Sequence, residues 1–419
     1  MFVAVALVLV LACFVLPHLF KKMVGRPKRA WPFQIVNAVL SFGFLALIPS
    51  QAYVEPNVFL AGFYDIMGLY IMFQLYFLVY MVVLALIVFG AKKASKGPEG
   101  KGPKAFGKWA AVAGLVVFAG LVVYGAVSAR FFAVTEYEIA LPGLEKPVTL
   151  VHAPDLHLGN ARGKAYLESV LEAIIAQKPD IVFYNGDLVD GKLALRDEVF
   201  ELFKGVKAEQ YFTTGNHEYY VGANLVIDWV KKAGIKVLRS ELVITHGFQL
   251  IGLEYMNADR ESSDPHQVNQ LALNEELPKI RRRTDLPLVV VHHSPVGVDY
   301  VRQGGAAAML SGHTHGGQVF PGNLIIASRF PMYKGRYQVG PMTLVVSQGL
   351  GTFGPMMRLG SQNELQVIRF LPAPSPAGTP GKDPLADPAP DPDPVPDSGP
   401  ERASEPDPDA EATLAPIDG

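Results

Sequence analysis

The chain has 419 residues, of which 50% are hydrophobic and only 18% charged, with a formal net charge of −2. A mean hydropathy of +0.23 is high for a soluble protein, and the near-neutral balance gives no reason to expect a nucleic-acid partner. One cysteine, Cys13, excludes intrachain disulfides and a thiolate metal site.

Apolar stretches at 3–20, 33–50, about 60–90 and 109–128 are each near the ~20 residues that cross a bilayer as a helix, which predicts an all-α region of four spans over residues 1–130. The first stretch lacks a basic leader and a small-residue cleavage site before Lys21 and Lys22, so it reads as a span rather than a signal peptide. Lys21, Lys22, Arg26, Lys28 and Arg29 follow the first span, and Lys92, Lys93, Lys96, Lys101, Lys104 and Lys108 separate the third from the fourth. The loop around 51–57 has no basic residue. Positive loops stay cytoplasmic, so the pattern predicts a multi-pass protein of the cytoplasmic membrane with everything after residue 130 outside. Asp65, near the outer start of the third span, reads as an interfacial carboxylate.

Residues 131–371 have the size of a single domain. Strands are predicted at 148–152, 180–184, 210–213, 288–291, 307–310 and 365–370, with helices at 163–177, 194–204, 222–233 and 267–282. Two further strands, 236–239 and 248–253, are predicted to pair, and the stretch beyond 310 reads as β-rich. Strands alternating with helices and then hairpins predict a layered α/β domain. From 372 to 419 Pro, Asp, Ala and Glu dominate, a composition that predicts a disordered tail.

Five short motifs stand directly behind predicted strands: Asp155-Leu156-His157, Gly186-Asp187-Leu188-Val189-Asp190, Gly215-Asn216-His217-Glu218, His292-His293-Ser294-Pro295 and Gly312-His313-Thr314-His315. Their side chains emerge at the strand ends, where α/β folds bind ligands. Carboxylate, amide and imidazole donors in this number suit two adjacent divalent ions and phosphoester hydrolysis. Strand alternation would put Asp155 and His157 on one side, within reach of one ion. Asp187 can bridge two ions, Asn216 offers a neutral oxygen with Gly215 supplying the turn, and His313 and His315 can serve the two ions separately. Either His292 or His293 can complete the set.

These motifs and their order resemble the calcineurin-like metallophosphoesterases, over roughly residues 145–371. Gly312-His-Thr-His-Gly-Gly-Gln318, Gly349-Leu-Gly-Thr-Phe353, Arg358 and Glu364 look like a narrower branch of membrane- or wall-associated phosphoesterases and transmembrane proteins with such a domain. The resemblance implies a four-layer α-β-β-α sandwich and two divalent ions, Mn, Fe or Zn. It implies one ion on Asp155, His157, Asp187 and His315, and the other on Asp187, Asn216, His313 and His293, the last chosen because it stands two before Pro295. It further implies that His217 acts at the scissile phosphate with Glu218 fixing its ring, while Asp190 orients rather than ligates. The expected activity is hydrolysis of a phosphoester or phosphodiester, with a lipid-linked substrate favoured by the nearby bilayer. The alternative is a non-catalytic membrane receptor or wall-binding module that retains the metal site.

Overall fold

The computed structural model describes residues 15–24, scattered positions between 35 and 43, 58–94, 101–159, 162–262 and 268–373. Most of the first two predicted spans and the tail from 374 onward lie outside the described residues. The third and fourth predicted spans form helices α1 (Val58–Ala94) and α2 (Lys101–Ser128). Within them Gly62–Ala91 and Phe106–Ser128 are long and apolar enough to cross a membrane, by length and composition. The helices run antiparallel: Tyr76 stacks on Phe118, and the Tyr80 hydroxyl donates to the Ala110 carbonyl at 2.7 Å. A Cβ on Gly114 would lie 2.0 Å from Tyr80 Cε1, so the absence of a side chain there admits the ring.

Among the described residues, the domain that follows is built on twelve strands and seven helices. In chain order these are β1 (Phe132–Pro142), β2 (Val148–His152), α3 (Lys164–Ala176), β3 (Ile181–Asn185), α4 (Asp197–Phe200), β4 (Glu209–Thr213), α5 (Asn216–Val221) and α6 (Ala223–Lys232). Then come β5 (Lys236–Val237), β6 (Glu241–Thr245), β7 (Phe248–Leu253), α7 (Leu273–Glu276), β8 (Leu288–His292), α8 (Val298–Gln303), β9 (Ala308–Ser311), α9 (Gly322–Arg329), β10 (Gly335–Val339), β11 (Met342–Val346) and β12 (Asn363–Ala373). One six-stranded sheet has the order β1-β12-β2-β3-β4-β5 and the other β10-β11-β9-β8-β7-β6.

Alternation along the strands sorts their side chains into separate apolar layers. Leu150, Ile181 and Phe183 face Leu250, Val289, Val291 and Leu310 between the sheets. Val151, Val182 and Phe212 point the other way, onto Leu167, Leu171 and Ile174 of α3 and Val226 and Val230 of α6. Ile251, Val290 and Met309 pack on Leu273, Leu277 and Val301 of the opposite helical layer. The result is the expected α-β-β-α sandwich. Each fully buried aliphatic or aromatic side chain stabilises it by about 1.5–3 kcal/mol.

Three local expectations fail. Segments 236–239 and 248–253 do not pair: β5 joins β4 in one sheet, while β7 lies between β6 and β8 in the other. The predicted helix at 267–282 contracts to α7 and one 3-10 turn, Leu277–Lys279, whose Pro278 cannot donate to a longer helix. In the stretch read as β-rich, Leu324-Ile325-Ile326 lies in helix α9, because a short aliphatic run does not distinguish helix from strand.

Candidate metal centre

Strands β2, β3, β4, β8 and β9 end at one edge of the sandwich, and the five motifs occupy the loops that leave them. The backbone there is not continued strand. Asp155 (φ 56°), His157 (φ 50°), Asp187 (φ 50°), His313 (φ 69°) and His315 (φ 50°) all adopt the left-handed region. Asp155 and His157 therefore converge through two left-handed residues, not through strand alternation. Such backbone costs of order 1–3 kcal/mol per residue and persists where surrounding bonds impose it. Here the Asp155 N–H donates to the Gly186 carbonyl at 3.0 Å and the His157 N–H to the Asp187 carbonyl at 2.9 Å, lacing the first two loops together.

Gly215 also differs from expectation. Its backbone is extended (φ −105°, ψ −171°), so it supplies space rather than a special turn. A Cβ there would lie 2.2 Å from Asp187 Oδ1, and one on Gly312 would lie 2.4 Å from Asp155 Oδ2. Both glycines let a loop close onto a buried carboxylate.

Each carboxylate is held by a neighbouring loop. Asp155 accepts from the His313 N–H at 3.0 Å, and Asp187 Oδ1 from the His217 N–H at 2.8 Å. The other oxygens face imidazoles: Asp155 Oδ1 lies 3.3 Å from His315 Nε2, and Asp187 Oδ2 lies 3.3 Å from His293 Nε2. His157 Nε2 faces His315 Nε2 at 3.0 Å. Three overlapping groups of donors result: Asp155, His157 and His315; His157, Asp187 and His217; and Asp187, His293 and His313. Asp187 belongs to two of them.

The ring nitrogens are oriented from behind. His293 Nδ1 donates to the Asn185 carbonyl at 2.7 Å, which leaves its Nε2 as the lone-pair nitrogen. His292 turns away, with Nδ1 on the Ser294 carbonyl at 2.7 Å and Nε2 accepting from the Met256 N–H at 3.4 Å. Asp190 Oδ1 takes His157 Nδ1 at 2.5 Å and His217 Nδ1 at 2.9 Å, so one carboxylate aligns two rings. Glu218 does not fix the His217 ring as expected. It turns inward and accepts three backbone N–H groups, from Asp187 and Leu188 at 2.8 Å and Gly215 at 2.7 Å. An acidic side chain in the first turn of α5 satisfies the preceding loop better than it reaches sideways to a ring one residue back.

The electrostatics are those of buried anions. Burial alone would raise Asp155 and Asp187, but His315 and His293 hold the first, and His293 and His217 the second, well below the usual carboxylate range. Burial opposes protonation of His217 and His293, yet Asp187 pushes them up to about 10 and about 9, helped by Asp190 and Asp155 respectively. His315 goes the other way, lowered to about 4 by burial. Buried carboxylates need nearby positive charge.

The residues fit divalent ions. Donor atoms 3.0–3.9 Å apart match the spacing expected when each lies about 2.0–2.2 Å from a shared ion. Asn216 Oδ1 and His293 Nε2 are both buried without a hydrogen-bond partner. Such atoms are costly to bury unless a ligand engages them.

Residues 148–317 match the calcineurin-like phosphoesterase family. The chain is 31% identical over 259 residues to a metallophosphoesterase of Aquifex aeolicus (strain VF5), covering 59% of this chain and 95% of that protein. This chain belongs to the calcineurin-like metallophosphoesterases. It is also 29% identical over 273 residues to a transmembrane protein with metallophosphoesterase domain of Danio rerio, covering 61% of each. Among solved structures, the 5'-nucleotidase precursor of Thermus thermophilus aligns with a TM-score of 0.31 and 17% identity, over 54% of each chain.

Around the donor residues of this metallophosphoesterase stands a frame to which the motifs alone give no role. Arg358 is fully buried and donates to the carbonyls of His315, Gln348 and Gly351, each at 2.6 Å, and to Asn363 Oδ1 at 2.8 Å. Burial lowers it to about 9. It clamps the His315 loop to the loop after β11. Arg162 adds bonds to Thr352 Oγ1 at 2.6 Å and to the Ala129 carbonyl, at the end of α2, at 2.9 Å. The sequence signal for Arg162 is weak, an isolated arginine beside Gly163, while Arg358 marks the narrower branch in the sequence without any role attached to it.

Proposed function

We propose that this metallophosphoesterase is an integral-membrane hydrolase that cleaves a phosphoester or phosphodiester with two divalent ions, of the Mn, Fe or Zn kind. The observation that carries the reading is Asp187, shared by the donor groups His157–Asp187–His217 and Asp187–His293–His313, the first of which meets Asp155 and His315 through His157. Asn216 would complete the second set. Ions held there would supply Lewis acidity at the phosphoryl oxygens and would lower the pKa of a bound water.

The chain's own residues supply the rest. His217 has a partly open side chain, at 22%, and its Nδ1 is engaged by Asp190. Its Nε2 is thus presented to the incoming phosphate, where a protonated ring stabilises phosphoryl oxygens or protonates the leaving group. Asp190 fixes that ring, and Glu218 holds the Asp187 loop on which both donor groups depend. A non-catalytic module would tolerate lost donors, and the sequence keeps Asp155, His157, Asp187, Asn216, His293, His313 and His315.

The membrane reading rests on the two apolar helices and on the basic residues that flank them at residues 92–108. It puts the domain outside the cytoplasmic membrane and favours a lipid-linked substrate. The test is hydrolysis by the purified full-length protein of phosphomonoesters, phosphodiesters and lipid phosphoesters with Mn, Fe or Zn, beside Asp187→Asn. Activity lost together with metal in the variant is expected. A wild-type protein that binds metal and hydrolyses none of these esters, or a variant that keeps both metal and turnover, overturns the reading.

A further inference from the structure

We propose that helix α9 and the residue leading into it, Phe320, rest on the surface of the bilayer that α1 and α2 cross, so that the metal centre opens at the headgroup layer. The proposal rests on the membrane-spanning reading above and deepens it by assigning the lipid-contacting surface and the route of an amphiphilic substrate.

Helix α9 contributes no buried side chain, while Phe320, Leu324 and Ile325 are 50%, 60% and 67% exposed. Scattered apolar residues on a surface are ordinary, but a cluster on one short helix calls for a partner. The partner is indicated by position. The Tyr76 hydroxyl of α1 donates to the Phe320 carbonyl, and the Tyr76 ring stacks on Phe118 of α2. Further towards the domain, Gly68 lies against Pro355, Gly125 lies against Met357, and the Arg358 N–H donates to the Gly125 carbonyl at 2.9 Å.

The domain thus grips α1 between Gly68 and Tyr76. Counted back from Ala91, the last residue before Lys92 and Lys93, a hydrocarbon layer of ~30 Å takes in about 20 residues of α1 at ~1.5 Å per residue, which reaches to within about one helical turn of Tyr76. That length sets the membrane boundary near Tyr76, a residue type favoured at such boundaries. The Phe320 backbone lies at that level, and α9 begins two residues further on. Helix α9 has no acidic residue and ends in Arg329, with Lys334 and Arg336 following, a composition suited to anionic headgroups.

The same segment reaches the metal centre. Phe330, directly after α9, lies 6.0 Å from the His313 ring, and Thr314 Oγ1 donates to the Tyr333 carbonyl at 2.6 Å. Phe353, 46% exposed, stands 5.0 Å from the His315 ring and is held on both its backbone groups by the Gln318 amide. A phosphoester amphiphile could present its phosphate to the histidines while its chains remain in the bilayer.

The test uses the full chain in vesicles of phosphatidylethanolamine and phosphatidylglycerol, with Cys13→Ser and an environment-sensitive fluorophore on Ile325→Cys. Ile175→Cys on α3, also exposed, is the reference. Stronger quenching at 325 than at 175 by headgroup-level nitroxide lipid, with shielding from aqueous iodide, is expected. Equal quenching by the lipid, or free access of iodide to 325, overturns the proposal. Because this readout needs no turnover, it stands apart from failure of the hydrolase reading. In the second arm, Leu324→Asp with Ile325→Asp should keep metal content and hydrolysis of bis-p-nitrophenyl phosphate, and lose about tenfold or more on a vesicle-embedded phospholipid. An equal fall on both substrates, or no fall on the lipid, counts against it.

Discussion

Asp190 holds His217 by a single contact, Oδ1 to Nδ1 at 2.9 Å, and the same oxygen takes His157 Nδ1 at 2.5 Å. One carboxylate therefore couples His157, proposed as a metal ligand, to His217, proposed to meet the substrate. In Asp190→Asn the amide keeps an oxygen but loses the charge that favours the protonated ring. Turnover should fall about 10–100-fold, the range found when a group orienting metal ligands is removed. Metal content, by elemental analysis of the purified variant, should fall less than turnover. Near-normal kcat would show that His217 needs no orientation.

The doubled histidine separates ligand from frame. His293 presents an unpartnered, buried Nε2 to Asp187. His293→Ala should lose metal and activity together. His292 spends both nitrogens on backbone groups, so His292→Ala should keep metal and lose about 1–3 kcal/mol of stability through unpaired buried groups. Thermal unfolding and metal analysis of the two variants give the answer. The reverse pattern would move the ligand assignment to His292.

Much of this site was legible because each donor motif stands directly behind an apolar strand, and strands deliver loops to one sheet edge. The choice between His292 and His293 needed the resemblance, since both are adjacent and equally apolar in context. Backbone conformation was not legible: nothing in Asp155-Leu156-His157 announces two left-handed residues, which the hydrogen bonds to Gly186 and Asp187 impose from another loop. The inward turn of Glu218 was hidden for the same reason, because its partners Asp187 and Leu188 are 30 residues away or more. Fold class followed from strand–helix alternation, but the sheet assignment of β5 and β7 depends on long-range pairing that local pattern does not encode.

Stability of the metal-free protein should depend on pH in a defined direction. His217 and His293 have folded-state values raised from 6.5 to about 10 and about 9, so their contribution is complete below about 6.5 and is lost as pH rises through those values. His152 and His315 are lowered to about 4, so theirs is present above about 6.5 and is lost as pH falls through about 4. The unfolding midpoint of chelator-treated protein should therefore peak near neutrality and fall towards pH 10. Added Mn or Zn should remove most of the alkaline fall, because cations replace the protons that balance Asp155 and Asp187. An alkaline limb that is identical with and without metal would exclude the cluster as its cause.

Topology decides which phosphoesters the enzyme meets. In the sequence Lys92, Lys93, Lys96, Lys101, Lys104 and Lys108 lie between the apolar stretches of α1 and α2, and α1 ends and α2 begins remote from the domain. Short basic segments abutting spans are where charge bias governs orientation, so this segment should be cytoplasmic and the domain outside. Strand β12 runs to Ala373, so a reporter fused after residue 380 leaves the domain whole, and one inserted near residue 97 probes the basic segment. The first should report from outside the cytoplasm and the second from within it. Substrates would then be headgroups of the outer leaflet or wall-linked phosphoesters. A cytoplasmic signal from the 380 fusion would reverse the hairpin, and lipid precursors of the inner leaflet would become the substrates to test.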